Sequence, residues 1–411
     1  MRIHLLLTMF LFACVGIFPR KLEVGPGKQF RTIKSGLSNA VNGDTVVVMG
    51  GQYKEGNIDI NKSIVLLGKG NPVLDGEYKF EVVSVKSDGV SISGFVIKNS
   101  GNAVLTDPAA IKVYGCQHVK ISNNWLENNY FGIYLQGCRN CVIRNNTILS
   151  KQKNQQSSGN AIHCWKSAQL FISWNRVSGH RDGIYFEFVT HSIINNNTAS
   201  ENLRYGLHFM FSNDDSYIGN LFSNNGAGVA VMFTHRVRML YNTFSWNWGD
   251  ACNGLLLKEI SDGYLYGNRF LHNTTGVYME GGSRICVQKN LFSKNGWGLK
   301  IQASCMDNII RGNNFIQNTF DVSTNGSLVL SNFDGNYWTG YRGYDLNKDK
   351  IGDVPYHPLS LFSYLAEKNP MVMILFKSLF VSMLEESEKI LPGITPDAFK
   401  DNYPLMQPLE L

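Results

Sequence analysis

The side chains whose type and spacing point most directly to chemistry are His163, His208, Met210 and Met232. Each stands two or four places after the small residue of a recurring motif: His163 after Ala161, His208 and Met210 after Gly206, Met232 after Gly228. Imidazole nitrogen and thioether sulphur are soft donors that favour copper(I), whereas calcium and magnesium demand oxygen. If successive motifs are stacked strands roughly 4.8 Å apart, Met210 and Met232 can touch one ligand, and His163 and His208 stand two rungs apart. The competing reading is that the methionines pack under a loop or a partner and the histidines make ordinary hydrogen bonds. In full, the column of residues at those two places reads His163 and Trp165, Tyr185 and Glu187, His208 and Met210, Ala230 and Met232, Leu256 and Lys258, Tyr278 and Glu280, Lys300 and Gln302.

Other groups carry weaker signals. Tyr185 and His208 could act as acid and base with Lys258 neutralising a substrate carboxylate, the layout of a polysaccharide lyase or epimerase acting on uronate polymers. Asn213, Asp214 and Asp215 resemble the acidic pairs of galacturonan hydrolases but lack their accompanying elements. Asp345, Asn347, Asp349 and Asp353 place oxygen ligands at alternate positions like the first half of a calcium loop, yet Lys350 replaces the usual glycine and Tyr356 the closing glutamate. An Asp/Asn-rich turn is the alternative. Cys138 and Cys141 have metal-ligand spacing without a second pair, and Cys116 and Cys138 occupy equivalent places, either bridged or as stacked free thiols.

The motif itself dictates what must position these groups. It begins at Ala110, Gly132, Ala161, Gly183, Gly206, Gly228, Gly254, Gly276 and Gly298, a period of about 22 residues, with apolar residues one and three places on. That unit is too short for a strand plus crossover helix, and its apolar residues alternate with period two, so each repeat is one coil of short strands. An all-β, right-handed parallel β-helix over 22–338 is the expectation. Leucine-rich repeats share the period but need a leucine-dominated strand, whereas here Ile, Val, Leu, Phe and Met rotate. A second series in the same register, Asn124, Asn146, Asn175, Asn197, Asn220, Asn242, Asn268, Asn290, Asn313 and Asn336, reads as scaffold that satisfies turn backbone groups.

The 411 residues carry a formal charge of +6 with basic residues scattered, which excludes nucleic acid as a partner class. Residues 1–18 read as a secretory signal, and Leu11 to Cys14 makes a poor lipobox because Phe12 replaces a small residue. After Trp338 the period stops, and 339–411 is expected to hold the Asp/Asn-rich loop and a helix from Asn369 to Leu391. Its apolar run Met371 to Leu384 is too short to span a bilayer of about 30 Å and should dock, on the open end of the coils or on a membrane protein.

Several segments resemble the NosD family of periplasmic β-helix proteins: Ile162 to Ser167, Gly179 to Thr190, Arg204 to Asp215, Gly226 to His235, Gly254 to Gly263, Gln302 to Asp307, Thr324 to Val329, Gly352 to Tyr356 and Leu359 to Phe362. The resemblance covers roughly 110–400. It implies a periplasmic factor in maturation of the copper-sulphide centre of nitrous oxide reductase, and the column, which bears sulphur and imidazole without a complete acidic groove, points to a non-enzymatic role. It further implies the ABC-type permease NosY with its ATPase NosF, the copper chaperone NosL and the reductase as partners, and attachment to the inner membrane through the permease. The resemblance supplies no ligand set, so His163, His208, Met210 and Met232 rest on the residue reading alone.

Overall fold

The computed structural model describes residues 19–102, 107–151, 154–250, 252–326, 330–390 and 399–411. The signal segment, including Cys14, lies outside them. Within these residues the chain winds into a parallel β-solenoid whose coils each give one short strand to each of three parallel sheets, of 14, 12 and 13 strands. The expected β-helix is therefore the fold, and the leucine-rich alternative is not. Strands run from Lys21–Val24 to Tyr337–Trp338, and a short helix, Ile33–Asn39, begins at the Thr32 cap near the first coils.

The repeat has a steric and a hydrogen-bonding cause. The small residue opening each site-bearing strand faces the next rung so closely that a Cβ on Gly183 would lie 2.5 Å from the Gly206 carbonyl oxygen, and one on Gly276 equally close to that of Gly298. The asparagine series forms one continuous ladder inside a corner: each side-chain amide donates to the next carboxamide oxygen at 2.9–3.1 Å from Asn124 through Asn336. Backbone groups of the turn, buried and out of reach of water, are thereby satisfied. A second ladder through Asn202, Asn225, Asn247, Asn273, Asn295 and Asn318 holds another corner, and His180 replaces asparagine at its start. Between the ladders Phe222, Phe244, Phe270, Phe292, Phe315 and Trp338 stack ring on ring at 4.3–5.5 Å. Each such ring contributes about 1.5–3 kcal/mol by burial.

The C-terminal segment folds back on the last coils. The carboxylate of Asp401 accepts from the backbone of Gly335 and Asn336 and from the indole of Trp338 at 2.8–2.9 Å, so it occupies the place of a further ladder residue. The expected helix from Asn369 to Leu391 is not continuous. Pro370 opens a 3-10 turn, Pro370–Leu375, and Lys377, in the left-handed region at φ 63°, separates it from the helix Leu379–Ile390. A preceding helix, Leu361–Lys368, lies on the end of the 12-stranded sheet, where Phe362 packs with Phe320, and Val381 joins the same cluster. No helix of the described residues is long and apolar enough to cross a membrane.

Candidate functional site

The 12-stranded sheet carries the column of interest. Its strands Ile162–Trp165, Asp182–Glu187, Tyr205–Met210, Ala227–His235 and Asn253–Ser261 pair in parallel, so His163 lies beside Tyr185, Tyr185 beside His208 and Met210 beside Met232. The two-rung separation of the histidines and the adjacency of the methionines follow from that register. The alternation of apolar positions predicts that both places of the column face outward; the structure closes the first place on the rungs of Tyr185, His208 and Ala230 and the second at Gln302, and leaves His163, Leu256, Tyr278 and Lys300 partly open. Tyr185 is 8 % exposed, His208 4 % and Ala230 is fully buried, while Trp165, Glu187, Met210, Met232 and Lys258 remain partly open. The reason is crowding: large rings on successive rungs, together with residues at the start of each strand, close over the first position.

His163 sits between two tyrosine rings, with centroids 4.4 Å from Tyr134 and 4.8 Å from Tyr185, and its Nδ1 is 2.9 Å from the Asn160 amide. Burial, reinforced by Arg181, pushes its pKa down to about 3, so the ring is neutral. His208 belongs to a buried ionic group that the sequence reading missed. Arg204 holds Asp182 through Nε at 2.8 Å and Nη2 at 2.5 Å, and the same Nη2 lies 3.1 Å from Nδ1 of His208, which is 3.7 Å from the carboxylate. Burial by itself would raise Asp182, but His208 and Arg204 outweigh it and hold the carboxyl at about 2. Nδ1 of His208 thus faces both the guanidinium and the carboxylate, while its Nε2 is buried with no protein partner. A metal ion on Nε2 would leave the ring proton on Nδ1, where Asp182 is the available acceptor.

Met210 and Met232 are the soft donors left at the surface of the column. The Tyr185 hydroxyl donates to the Met210 sulphur at 3.6 Å, and burial, with Glu187 nearby, pushes that phenol up to about 12. Lys258 is paired with Glu280 at 3.3 Å, and Lys300 and Gln302 are capped by Glu367 of the Leu361–Lys368 helix at 2.7 and 3.2 Å. The acid, base and counter-charge expected of a uronate enzyme are thus each engaged: Tyr185 with a thioether, His208 with Arg204, Lys258 with Glu280.

The remaining candidates fall away from the column. The oxygens of Asp345, Asp349 and Asp353 accept backbone amides of Asp349, Lys350, Leu346 and Ile351 at 2.7–3.2 Å, and Asn347 binds Asp349. The loop is a turn held by its own backbone, and calcium finds no support. Cys116, Cys138 and Cys141 are buried free thiols whose sulphurs point to main-chain carbonyls, so neither a Cys116–Cys138 bridge nor an outward Cys138–Cys141 ligand pair forms. Asp214 is held in an exposed bidentate pair with Arg236 at 2.6 and 2.8 Å, whereas Asp215 is buried. Among the described residues no three His, Cys, Asp or Glu side chains are placed to share a metal ion.

One further row flanks the methionines. Phe188, Phe211 and Phe233 follow Glu187, Met210 and Met232 directly, are 45, 40 and 39 % exposed, and stack at 5.2 and 5.1 Å. They occupy left-handed turn positions, φ 51–54°, a conformation that Lys166 and Glu259 share on the adjoining coils and Gly137 and Gly281 on the coils beyond. A side chain there costs roughly 1–2 kcal/mol relative to a relaxed backbone. Both omissions had a sequence signal: Asp182 and Tyr205 precede a repeat glycine directly and Arg204 by two, and the phenylalanines recur five places after one.

Comparison with known proteins places the chain. The model of the family described as NosD, periplasmic copper-binding protein, matches residues 37–157 and 149–343. A probable ABC transporter binding protein NosD of Pseudomonas aeruginosa is 28% identical over 376 residues, 87% of each chain, and that of Stutzerimonas stutzeri is 25% identical over 374 residues, 87% of this chain and 85% of its own. Among solved structures, the catalytic domain of a GH87 alpha-1,3-glucanase superposes with a TM-score of 0.58 at 12% identity, over 78% of this chain and 69% of that one, a likeness of fold alone. The family match spans most of the described coils, and the chain belongs to the NosD family.

Proposed function

We propose that this protein is a non-catalytic periplasmic factor that serves an ABC-type transporter and takes part in maturing the copper-sulphide centre of nitrous oxide reductase. Copper(I) is its transient cargo, and the strip of Met210 and Met232, with His208 and His163 beneath, is where copper or its carrier makes contact. The observation carrying this reading is the register that puts two partly open thioethers on adjacent rungs next to an imidazole whose Nε2 has no protein partner. Family membership supports a copper role and a transporter association. The permease NosY with its ATPase NosF, the chaperone NosL and the reductase are the partners this role requires. The exposed apolar residues Met371, Ile374, Leu379, Phe380 and Met383 form the surface that docks on the permease at the inner membrane.

The test is Met210→Leu with Met232→Leu in a denitrifying host. The swap nearly conserves volume and should cost less than about 1.5 kcal/mol per site. Copper content of the purified reductase is expected to fall while the variant accumulates normally. Wild-type loading would remove the thioethers from the mechanism.

A further inference from the structure

Cys138 and Cys141 flank one corner of the solenoid, between the strands Phe131–Gln136 and Val142–Arg144. The chain bends there at Arg139, which pairs with the coils on both sides, and at Asn140, in the left-handed region at φ 52°. The bend leaves Arg139 and Asn140 exposed and turns both sulphurs into the core, where Cys138 is fully buried and Cys141 almost so. Inside, the two thiols hydrogen-bond each other. Cys116, one coil earlier, is directed instead at the carbonyls of Tyr114 and Val85, at 3.1 and 3.7 Å. A turn with one extended and one left-handed central residue keeps its end Cα atoms within about 7 Å. That overlaps the roughly 4.4–6.8 Å that a disulfide spans, so bonding these sulphurs needs side-chain rotation and no new path of the chain. Separation along the sequence singles out the same pair. Cys138 and Cys141 are three residues apart, and any other two cysteines of the described residues are at least 19 apart. The shorter loop closes at lower entropic cost in an unfolded chain.

We propose that Cys138 and Cys141 are joined by a disulfide in the mature protein, made in the periplasm before the coil closes over them. The family is described as periplasmic, and thiols in that compartment are kept oxidised. Burial fixes the order of events, because a protein oxidant cannot reach sulphurs inside a finished coil. One cysteine thiolate attacks the disulfide of a dithiol oxidase to give a mixed disulfide, and the other then displaces the oxidase sulphur. Each cysteine gives up one hydrogen, one S–S bond forms in this chain, and the oxidase takes up two electrons and two protons as its own disulfide opens to a dithiol. Closing of the coil then seals the bond from reductants. The bond pins the corner between the two strands while the rest of the solenoid winds. It also withdraws a pair of soft thiolate ligands from any copper(I) the folding chain meets.

Trypsin decides it, because Arg139 lies between the two cysteines. Cells making the full-length protein are quenched in acid, free thiols are alkylated in denaturant, and the chain is digested without reduction. The peptides Ile121–Arg139 and Asn140–Arg144 should be recovered as one species, two hydrogens lighter than their sum, and should separate on reduction. Two separately alkylated peptides would overturn the proposal, as would a link from either to the peptide carrying Cys116 or Cys164. In a host lacking its periplasmic dithiol oxidase the alkylated peptides should predominate, and an undiminished link would overturn the route. Dithiothreitol should open the link in urea and leave it intact in the folded protein over the same time; equal opening in both would overturn its sealing by the coil.

Discussion

Replacing Asp182 with Asn probes the ionic group that underlies the strip. The carboxylate is fully buried and its pKa is held at about 2 against an ordinary 3.8. That difference corresponds to about 2–3 kcal/mol of folded-state stabilisation. Breaking a fully buried pair costs about 3–5 kcal/mol, but the Arg204 side chain is 32 % exposed and can turn to water, so the expected loss at pH 7 is about 2–4 kcal/mol. The sign with pH follows from a depressed pKa. The contribution is fully present above pH 3.8 and disappears as pH falls towards 2, so the gap between wild type and variant should close over that window. Urea unfolding at several pH values measures the gap, and amide exchange in Asp182–Glu187 and Tyr205–Met210 localises it. Freed from Asp182, Arg204 no longer fixes the ring of His208, so the variant should also lose Cu(I) affinity. A loss below about 1 kcal/mol at pH 7, or a gap equal at pH 7 and pH 2, would refute the assignment of Asp182 as a buried ionised anchor.

Two further outcomes follow from buried carboxyls. Burial raises Asp215 to about 8, one of its oxygens has no partner, and its stabilising protonated state is lost as pH rises towards that value. Asp215→Asn should therefore stabilise the protein at pH 7–9 and flatten the decline between about pH 4 and 8, which thermal melts from pH 4 to 9 will show. Asp401→Ala removes the acceptor for the amides of Gly335 and Asn336 and the Trp338 indole, an expected loss of about 3–5 kcal/mol, seen as early proteolysis at the last coils while the central coils stay protected. A truncation at 369 also removes Asp401 and hence unravels the end of the ladder, so the docking role of the apolar turn is better tested by Met371→Ser with Ile374→Ser and Leu379→Ser, which should release the protein from the membrane fraction without lowering its melting temperature.

The period of about 22 residues was enough to determine a parallel β-helix, because a coil that short leaves no room for a helix and because stacked copies repeat their apolar and asparagine positions in register. Register also sufficed to bring Met210 beside Met232, since strand pairing is local to consecutive repeats. Burial was not legible. Whether the residue two places after each small residue meets water depends on side-chain volume from the coils on both sides, and Tyr134, Tyr185 and Tyr205 close over His163 and His208 only once the rungs are assembled. Nor was the partner of His208: Asp182 is one coil away and Arg204 four residues back, and nothing but the stack decides that they converge on one ring. The same limit hid Asp401, more than sixty residues past the ladder it ends, because a contact between distant segments is fixed by tertiary packing and leaves no period in the chain.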